Sequence, residues 1–126
     1  MSTDPAVGLV RSLVENMRRI GDDWAALAMV LEFGGGQLSG SYGYAYSEDG
    51  APAATSARPT LIEPAVNAYL ESSFPPEDAR PVKMLVQFDR ATGNYEITFE
   101  DTDATRWQVT PATLGTIRDD LRPRFA

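Results

Sequence analysis

The sequence predicts an α+β fold, in which an antiparallel β-sheet of four to five strands carries helices packed on one face. Runs with apolar residues at every second position occur as neighbouring pairs at hairpin distance. Each helical stretch precedes or follows such a pair rather than a single strand, which favours an antiparallel sheet. The predicted order is α-β-β-α-β-β-(β)-α, and 126 residues fit a single domain, 1–126.

The first helix and the first hairpin have clear boundary signals. Asp4 can cap the helix, Pro5 suits its first position, and Gly21 is a natural stop. A strand is predicted for residues 24–33, although a helix is the competing interpretation of this apolar run. We prefer the strand because three glycines follow it and a second alternating run, residues 38–46, comes next.

The middle of the chain predicts a loop and a second helix. Residues 51–59 are rich in alanine and proline, which is typical of a mobile surface loop. The second helix starts either at Thr60, which opens a capping-box pattern, or at Pro64, because proline suits the first helical position. It ends at Pro75, and a linker leads into the second hairpin.

The second hairpin, within residues 82–109, has the most regular alternation in the chain. Its predicted core residues are Met84, Val86, Phe88, Tyr95, Ile97 and Phe99. We expect these to pack beneath the helices against Val10, Leu13, Val14, Met17, Val66, Leu70, Leu114 and Ile117. Residues 106–109 are a possible further strand, and a last helix is predicted from Thr110-Pro111 until Pro123 stops it.

The composition excludes several kinds of chemistry. The chain has no cysteine and no histidine, so it lacks thiolate nucleophiles, the usual general base near neutral pH and the commonest zinc ligands. Gly34-Gly35-Gly36 lacks the lysine of a phosphate-binding loop and is explained by a hairpin turn. We therefore expect no enzyme activity and no cofactor.

The charge is unevenly distributed along the chain. The net charge is −7, and residues 24–103 hold twelve acidic against four basic residues. This imbalance argues against direct nucleic-acid binding and favours a basic protein partner. The N-terminal residues lack a secretion-signal pattern, and no apolar run is long enough to cross a bilayer, so we expect a cytoplasmic protein that does not contact membranes.

The candidate partner-binding site is an acidic corner where the second hairpin ends. It is predicted to comprise Glu96, Glu100, Asp101, Asp103 and Trp107, with the tryptophan as the apolar contact. The Asp101-x-Asp103 pair beside Glu100 has the oxygen ligands of a cation site, but it lacks the glycine and the distal glutamate of an EF-hand loop, so no metal site is expected. The pair Glu96 and Glu100 has no apolar neighbours that would separate their pKa values for acid–base catalysis.

Three tyrosines at alternate positions, Tyr42, Tyr44 and Tyr46, share one face of the second predicted strand. Such a row is typical of packing under helices, with the hydroxyl groups reaching the rim. The alternative is a binding stripe for a partner. The sequence alone leaves both interpretations open.

In layout, residues 8–103 resemble the YezG-like immunity proteins of bacterial polymorphic toxin systems. The matching features are an opening helix leading through Gly21-Asp-Asp-Trp24 into a strand, Tyr42-Gly-Tyr44, and a second helix followed by a proline-bearing entry. The final hairpin, Tyr95-Glu-Ile-Thr-Phe99 followed by acids, matches as well. The segment 106–126 lies outside this resemblance.

The resemblance implies a small cytoplasmic protein without catalytic activity that binds a cognate toxin, of the nuclease type, and blocks it. The acidic middle of the chain suits the cationic cleft of such a toxin. A different class, the small acidic chaperone of a secreted effector, is the alternative. It would act as a dimer on an extended segment, whereas an immunity protein can act as a monomer on a folded toxin.

Overall fold

The structure, a computed structural model, describes residues 4–18, 20–34, 37–74, 81–103, 105–113 and 115–123. The elements are α1 (Pro5–Glu15), β1 (Trp24–Gly34), β2 (Gln37–Ser47), β3 (Pro52–Thr55), α2 (Pro59–Ser73), β4 (Lys83–Asp89), β5 (Tyr95–Glu100) and α3 (Ile117–Asp120). The strands form an antiparallel sheet in the order β3-β2-β1-β4-β5. The predicted α+β class is confirmed.

The central strand β1 is buried on both faces of the sheet. Leu27, Met29 and Leu31 point toward α1 and α2, while Ala28 and Val30 point to the opposite face. All five side chains are fully buried. The preference for a strand over a helix in this run is therefore confirmed. Because side chains alternate along a strand, neighbouring residues of β1 enter two separate cores.

The main core lies between the sheet and the pair α1–α2. Its buried members are Leu9, Val10, Leu13, Trp24, Leu27, Met29, Leu31, Leu38, Ala45, Ala57, Ile62, Val66, Leu70, Met84 and Val86. Phe99 of β5 is partly buried and contacts two rings of the α2 segment, Tyr69 at 6.1 Å and Phe74 at 5.0 Å between centroids. Tyr95 was predicted to be core, but 38% of it is exposed because it lies at the start of the edge strand.

α1 ends at Glu15, earlier than the stop predicted at Gly21. The chain after it pairs with the segment that precedes α2. The Arg18 N–H donates to the Ser56 carbonyl at 2.9 Å, and the Thr55 hydroxyl donates to the Arg18 carbonyl at 2.8 Å. These long-range bonds satisfy an extended backbone, so the helical periodicity beyond Glu15 is overridden by tertiary contacts.

The second core lies on the opposite face and corrects the prediction that all helices share one face. α3 and the turns before it cover this face, where Ile117 and Leu121 pack with Ala28, Val30 and Leu85. Ile117 is therefore core, as predicted, but on the side away from α1 and α2. The predicted core residue Leu114 lies outside the described residues.

Two further predictions about local structure were wrong. Residues 52–55, expected in a mobile loop, form the edge strand β3, which pairs with β2 from Gly43 to Tyr46. Residues 106–109, a possible strand, form no strand: 106 and 107 lie in a turn, and 108 and 109 have no regular structure. The sheet thus has the predicted number of strands, but the fifth strand comes from the alanine-rich segment, because Ala53 and Ala54 are small enough to lie at an exposed edge without leaving apolar bulk in water.

α2 begins at Pro59, before both predicted start positions. Arg58 is the residue before its first turn and Pro59 occupies the first position, where the missing N–H costs no helical hydrogen bond. Pro64 lies inside the helix. Burial of Ile62, Val66 and Leu70 against the sheet outweighs the bond that this proline removes.

Candidate functional site

The predicted acidic site lies along β5, the edge strand, and the turn that follows it. Glu96 is paired in register with Gln87, and Glu100 with Lys83. Four residues along a strand span about 13 Å, so Glu96 stands apart from the three acids at the strand end. The structure therefore brings Glu100, Asp101 and Asp103 together and leaves Glu96 on the same edge, farther along.

The Glu100 carboxylate organises the turn at the end of β5. Its Oε2 accepts the backbone N–H of Asp103 at 3.1 Å and of Thr102 at 3.2 Å, and its Oε1 accepts Nη1 of Arg106 at 2.9 Å. These donors favour the ionised form and lower the pKa of Glu100 from 4.5 to about 2, with the Asp103 N–H contributing most. Both carboxylate oxygens of Glu100 are therefore engaged within the turn.

The other acids differ in how far they are engaged. Oδ1 of Asp103 accepts the N–H of Thr105 at 2.9 Å and its hydroxyl at 2.6 Å, and the hydroxyl is the main cause of a lowered Asp103 pKa. Glu96 and Asp101 are exposed. Within the described part of the chain, the structure places no hydrogen bond or ion pair on either carboxylate, so these two are the outward-facing charges of the predicted site.

Trp107 follows this turn in an unusual backbone conformation. Its φ of 62° lies in the left-handed region that bulky residues rarely adopt. The Arg106 guanidinium lies 4.4 Å from the centre of its ring, and the Trp107 carbonyl accepts the Tyr42 hydroxyl at 2.7 Å. The ring is half-buried against the second core rather than fully exposed, as a partner-contacting anchor would be.

Lys83, the single lysine of the chain, is the residue that sequence reasoning missed. The alternation of the second hairpin places it opposite the predicted core residues, on the side expected to face solvent, but only 2% of it is exposed. Its Nζ donates to the Arg106 carbonyl at 2.9 Å and to the Tyr42 hydroxyl at 3.2 Å, and it lies 3.5 Å from Glu32. These three contacts use all three of its donors.

The tyrosine row belongs to this buried network. Tyr42 and Tyr46 donate their hydroxyls to backbone carbonyls of the C-terminal segment, at Trp107 and Arg118. Burial, together with the nearby Glu32 charge, raises the pKa of Tyr42 to about 12, and burial also raises the pKa of Tyr46. The row therefore packs under α3 and the rest of the C-terminal segment, on the face opposite α1 and α2.

An open cavity of about 480 Å³ lies beside the row, lined by Glu32, Tyr42, Tyr44, Ala54, Gln108 and Val109. The Tyr42 hydroxyl already donates to the Trp107 carbonyl and accepts from Lys83. The Lys83 ammonium is already bound by acceptors. Among the described lining residues, Glu32 supplies a carboxylate, and Tyr42 and Tyr44 supply aromatic surface.

Comparison of the chain with protein-family models, with curated proteins and with solved structures found no match. Among the described residues, no helix is long and apolar enough to cross a membrane. The same residues contain no group of three or more acidic side chains placed to hold a metal ion.

Proposed function

We propose that the protein is a non-catalytic binding protein that neutralises a cognate basic toxin domain of the nuclease type by docking on it. The observation that carries this proposal is the ordered acidic turn at the end of β5. Three backbone or side-chain donors hold Glu100, and this fixes the positions of Asp101 and Asp103 beside it. A surface ordered before binding loses less conformational entropy when a partner docks.

The charge of the chain supports the same assignment. Its net charge of −7 gives long-range attraction to a cationic surface, which raises the association rate and selects against acidic partners. The outward carboxylates Glu96 and Asp101 are the groups that meet such a surface first. Trp107, half-buried and covered by Arg106, contributes an edge of its ring rather than a deeply inserted anchor.

The experiment that tests this function is co-expression with a basic C-terminal domain of a secreted protein encoded by the neighbouring gene. We expect growth protection and a stoichiometric complex on size-exclusion chromatography. Absence of a complex between the two purified proteins, or a neighbourhood that encodes a secretion apparatus and no such domain, would contradict the proposal.

The alternative of an effector chaperone is favoured by one feature, the position of β5 at the edge of the sheet. An edge strand offers unpaired backbone groups to an extended segment or to a second copy. Analytical ultracentrifugation separates the two functions. A monomer that binds a folded domain supports the toxin-binding function, and a dimer that binds only an unfolded segment supports the chaperone function.

A further inference from the structure

A second surface, remote from the acidic turn, is an apolar groove between α1 and the end of the β4–β5 hairpin. It encloses about 340 Å³ and is walled by Val7, Val10 and Val14 of α1 and by Trp24, Phe88 and Tyr95 of the sheet. Val7 and Tyr95 are each 38% exposed. Exposed apolar surface in a groove is typical of a ligand-binding site.

Two arginines line the same groove in a chain that is otherwise strongly acidic. Arg11 is exposed on α1, and the structure places no hydrogen bond or ion pair on it within the described residues. Arg90 lies 4.6 Å from the centre of the Trp24 ring and uses Nη1 for the carbonyls of Asp22, at 2.6 Å, and Trp24, at 3.1 Å. Within the described residues, the structure places no hydrogen bond on its Nε or Nη2.

The two arginines set the sign of charge that the groove accepts. The described residues that line it include no carboxylate, so the guanidinium groups are not neutralised from within the groove. A guanidinium binds a carboxylate through two parallel hydrogen bonds, and these bonds strengthen beside an apolar wall that excludes water. An apolar chain laid along the valines gains free energy in proportion to the area it removes from water.

We propose that this groove binds a small-molecule carboxylate with an apolar body, the chemistry of a medium-chain fatty acid. The carboxylate pairs with Arg11 and Arg90, and the chain lies between α1 and the aromatic side chains of the sheet. This site lies at α1 and the start of β5, at the other end of that strand from the acidic turn, and its ligand carries the opposite charge to the proposed protein partner.

Trp24 provides the readout. In a Trp107→Phe variant it is the only tryptophan, so its emission reports the groove alone. Titration with decanoate, below its micelle concentration, should change this emission to saturation, whereas decanol and acetate should bind at least tenfold more weakly. In the wild-type protein the indole N–H resonance of Trp24 gives the same measurement without the substitution.

Arg11→Gln is the decisive variant, because this exposed side chain can be changed without removing a contact of the fold. We expect it to weaken decanoate binding about tenfold, the effect of losing a charge-assisted hydrogen bond. Arg118→Gln, which changes another exposed arginine, on α3 across the sheet, should leave binding unchanged. No saturable response to decanoate, equal binding of decanol, or equal affinities of the two variants would overturn the proposal.

Discussion

Gly43 is the position in β2 where the sheet tolerates a side chain least. A Cβ atom added there would lie 1.9 Å from the Ala28 carbonyl oxygen, so the neighbouring backbone of β1 would have to move. Gly8 in α1 offers the matched contrast, because nothing lies within 4 Å of its added Cβ. The glycine between Tyr42 and Tyr44 is thus required by the close approach of two strands.

We predict that Gly43→Ala lowers the free energy of unfolding by about 3 kcal/mol, the upper end of overpacking costs. Gly8→Ala should raise it by about 0.5–1 kcal/mol, because alanine is the better helix former. Urea denaturation followed by tryptophan fluorescence measures both. Equal unfolding midpoints for the two variants would contradict the packing described for β1 and β2.

Lys83 and Glu32 form an ion pair whose partners differ in burial, with 3% and 39% of their side chains exposed. Lys83→Met should destabilise the protein by about 2–3 kcal/mol, because it leaves the part-buried Arg106 carbonyl and the Tyr42 hydroxyl without their donor. Glu32→Gln should cost less than about 1 kcal/mol, since a half-exposed carboxylate retains much of its hydration. Thermal unfolding of the two variants measures which one loses more stability. A larger loss of stability for Glu32→Gln would show that the ion pair contributes more than the hydrogen bond to the Arg106 carbonyl.

At the scale of elements, the turn after β5 depends on one ionised carboxylate. The folded-state pKa of Glu100, about 2, lies below its ordinary 4.5. Stability from this group is therefore present above pH 4.5 and is lost as pH falls through about 2. We predict that Glu100→Gln is less stable than the wild type at pH 7 and that the difference shrinks between pH 4.5 and 2.

Chemical denaturation at a series of pH values measures this difference. Asp103, whose pKa is lowered by the Thr105 hydroxyl and N–H, contributes in the same direction, so Asp103→Asn serves as a second variant. A stability difference between the wild type and Glu100→Gln that stays constant from pH 7 to pH 2 would mean that Glu100 does not hold the turn in its ionised form.

The elements show where sequence reasoning succeeds and where it stops. β1, β2, β4 and β5 were predictable because their alternation reflects burial of at least one face. β3 was not, since an alanine-rich edge strand has no apolar alternation and is defined by its pairing with β2. In the C-terminal segment Ile117 was correctly predicted as core but on the wrong face, because the carbonyls of Trp107 and Arg118 are bound there by the hydroxyls of the distant Tyr42 and Tyr46.

The candidate site was predictable in composition but not in the roles of its members. The sequence placed five residues at one corner and treated the acids alike. The structure separates Glu100, which faces the turn, from Glu96 and Asp101, which face outward. This division depends on backbone N–H groups that the turn happens to direct at one carboxylate, and no periodicity in the sequence encodes that direction.

At the scale of the whole molecule, the sheet separates two cores, each covered by different elements of the chain. α1 and α2 cover one face, where α1 forms one wall of the arginine-lined groove, and the C-terminal segment covers the other face and packs on the tyrosine row. The acidic turn lies at the end of the edge strand. A basic partner is therefore expected to approach along β5, and the interface test has to change the charge there without breaking the turn.

The most direct test of this account is the association rate with the basic partner domain, measured by stopped flow at several salt concentrations. The double variant Glu96→Lys and Asp101→Lys reverses the outward charges and leaves Glu100 in place. Its control, Glu63→Lys and Glu71→Lys, makes the same change in net charge on exposed positions of α2. We predict a slower association with a flatter salt dependence for the first variant and a smaller change for the control. Equal rates and equal salt slopes for the two double variants would contradict docking at the acidic turn.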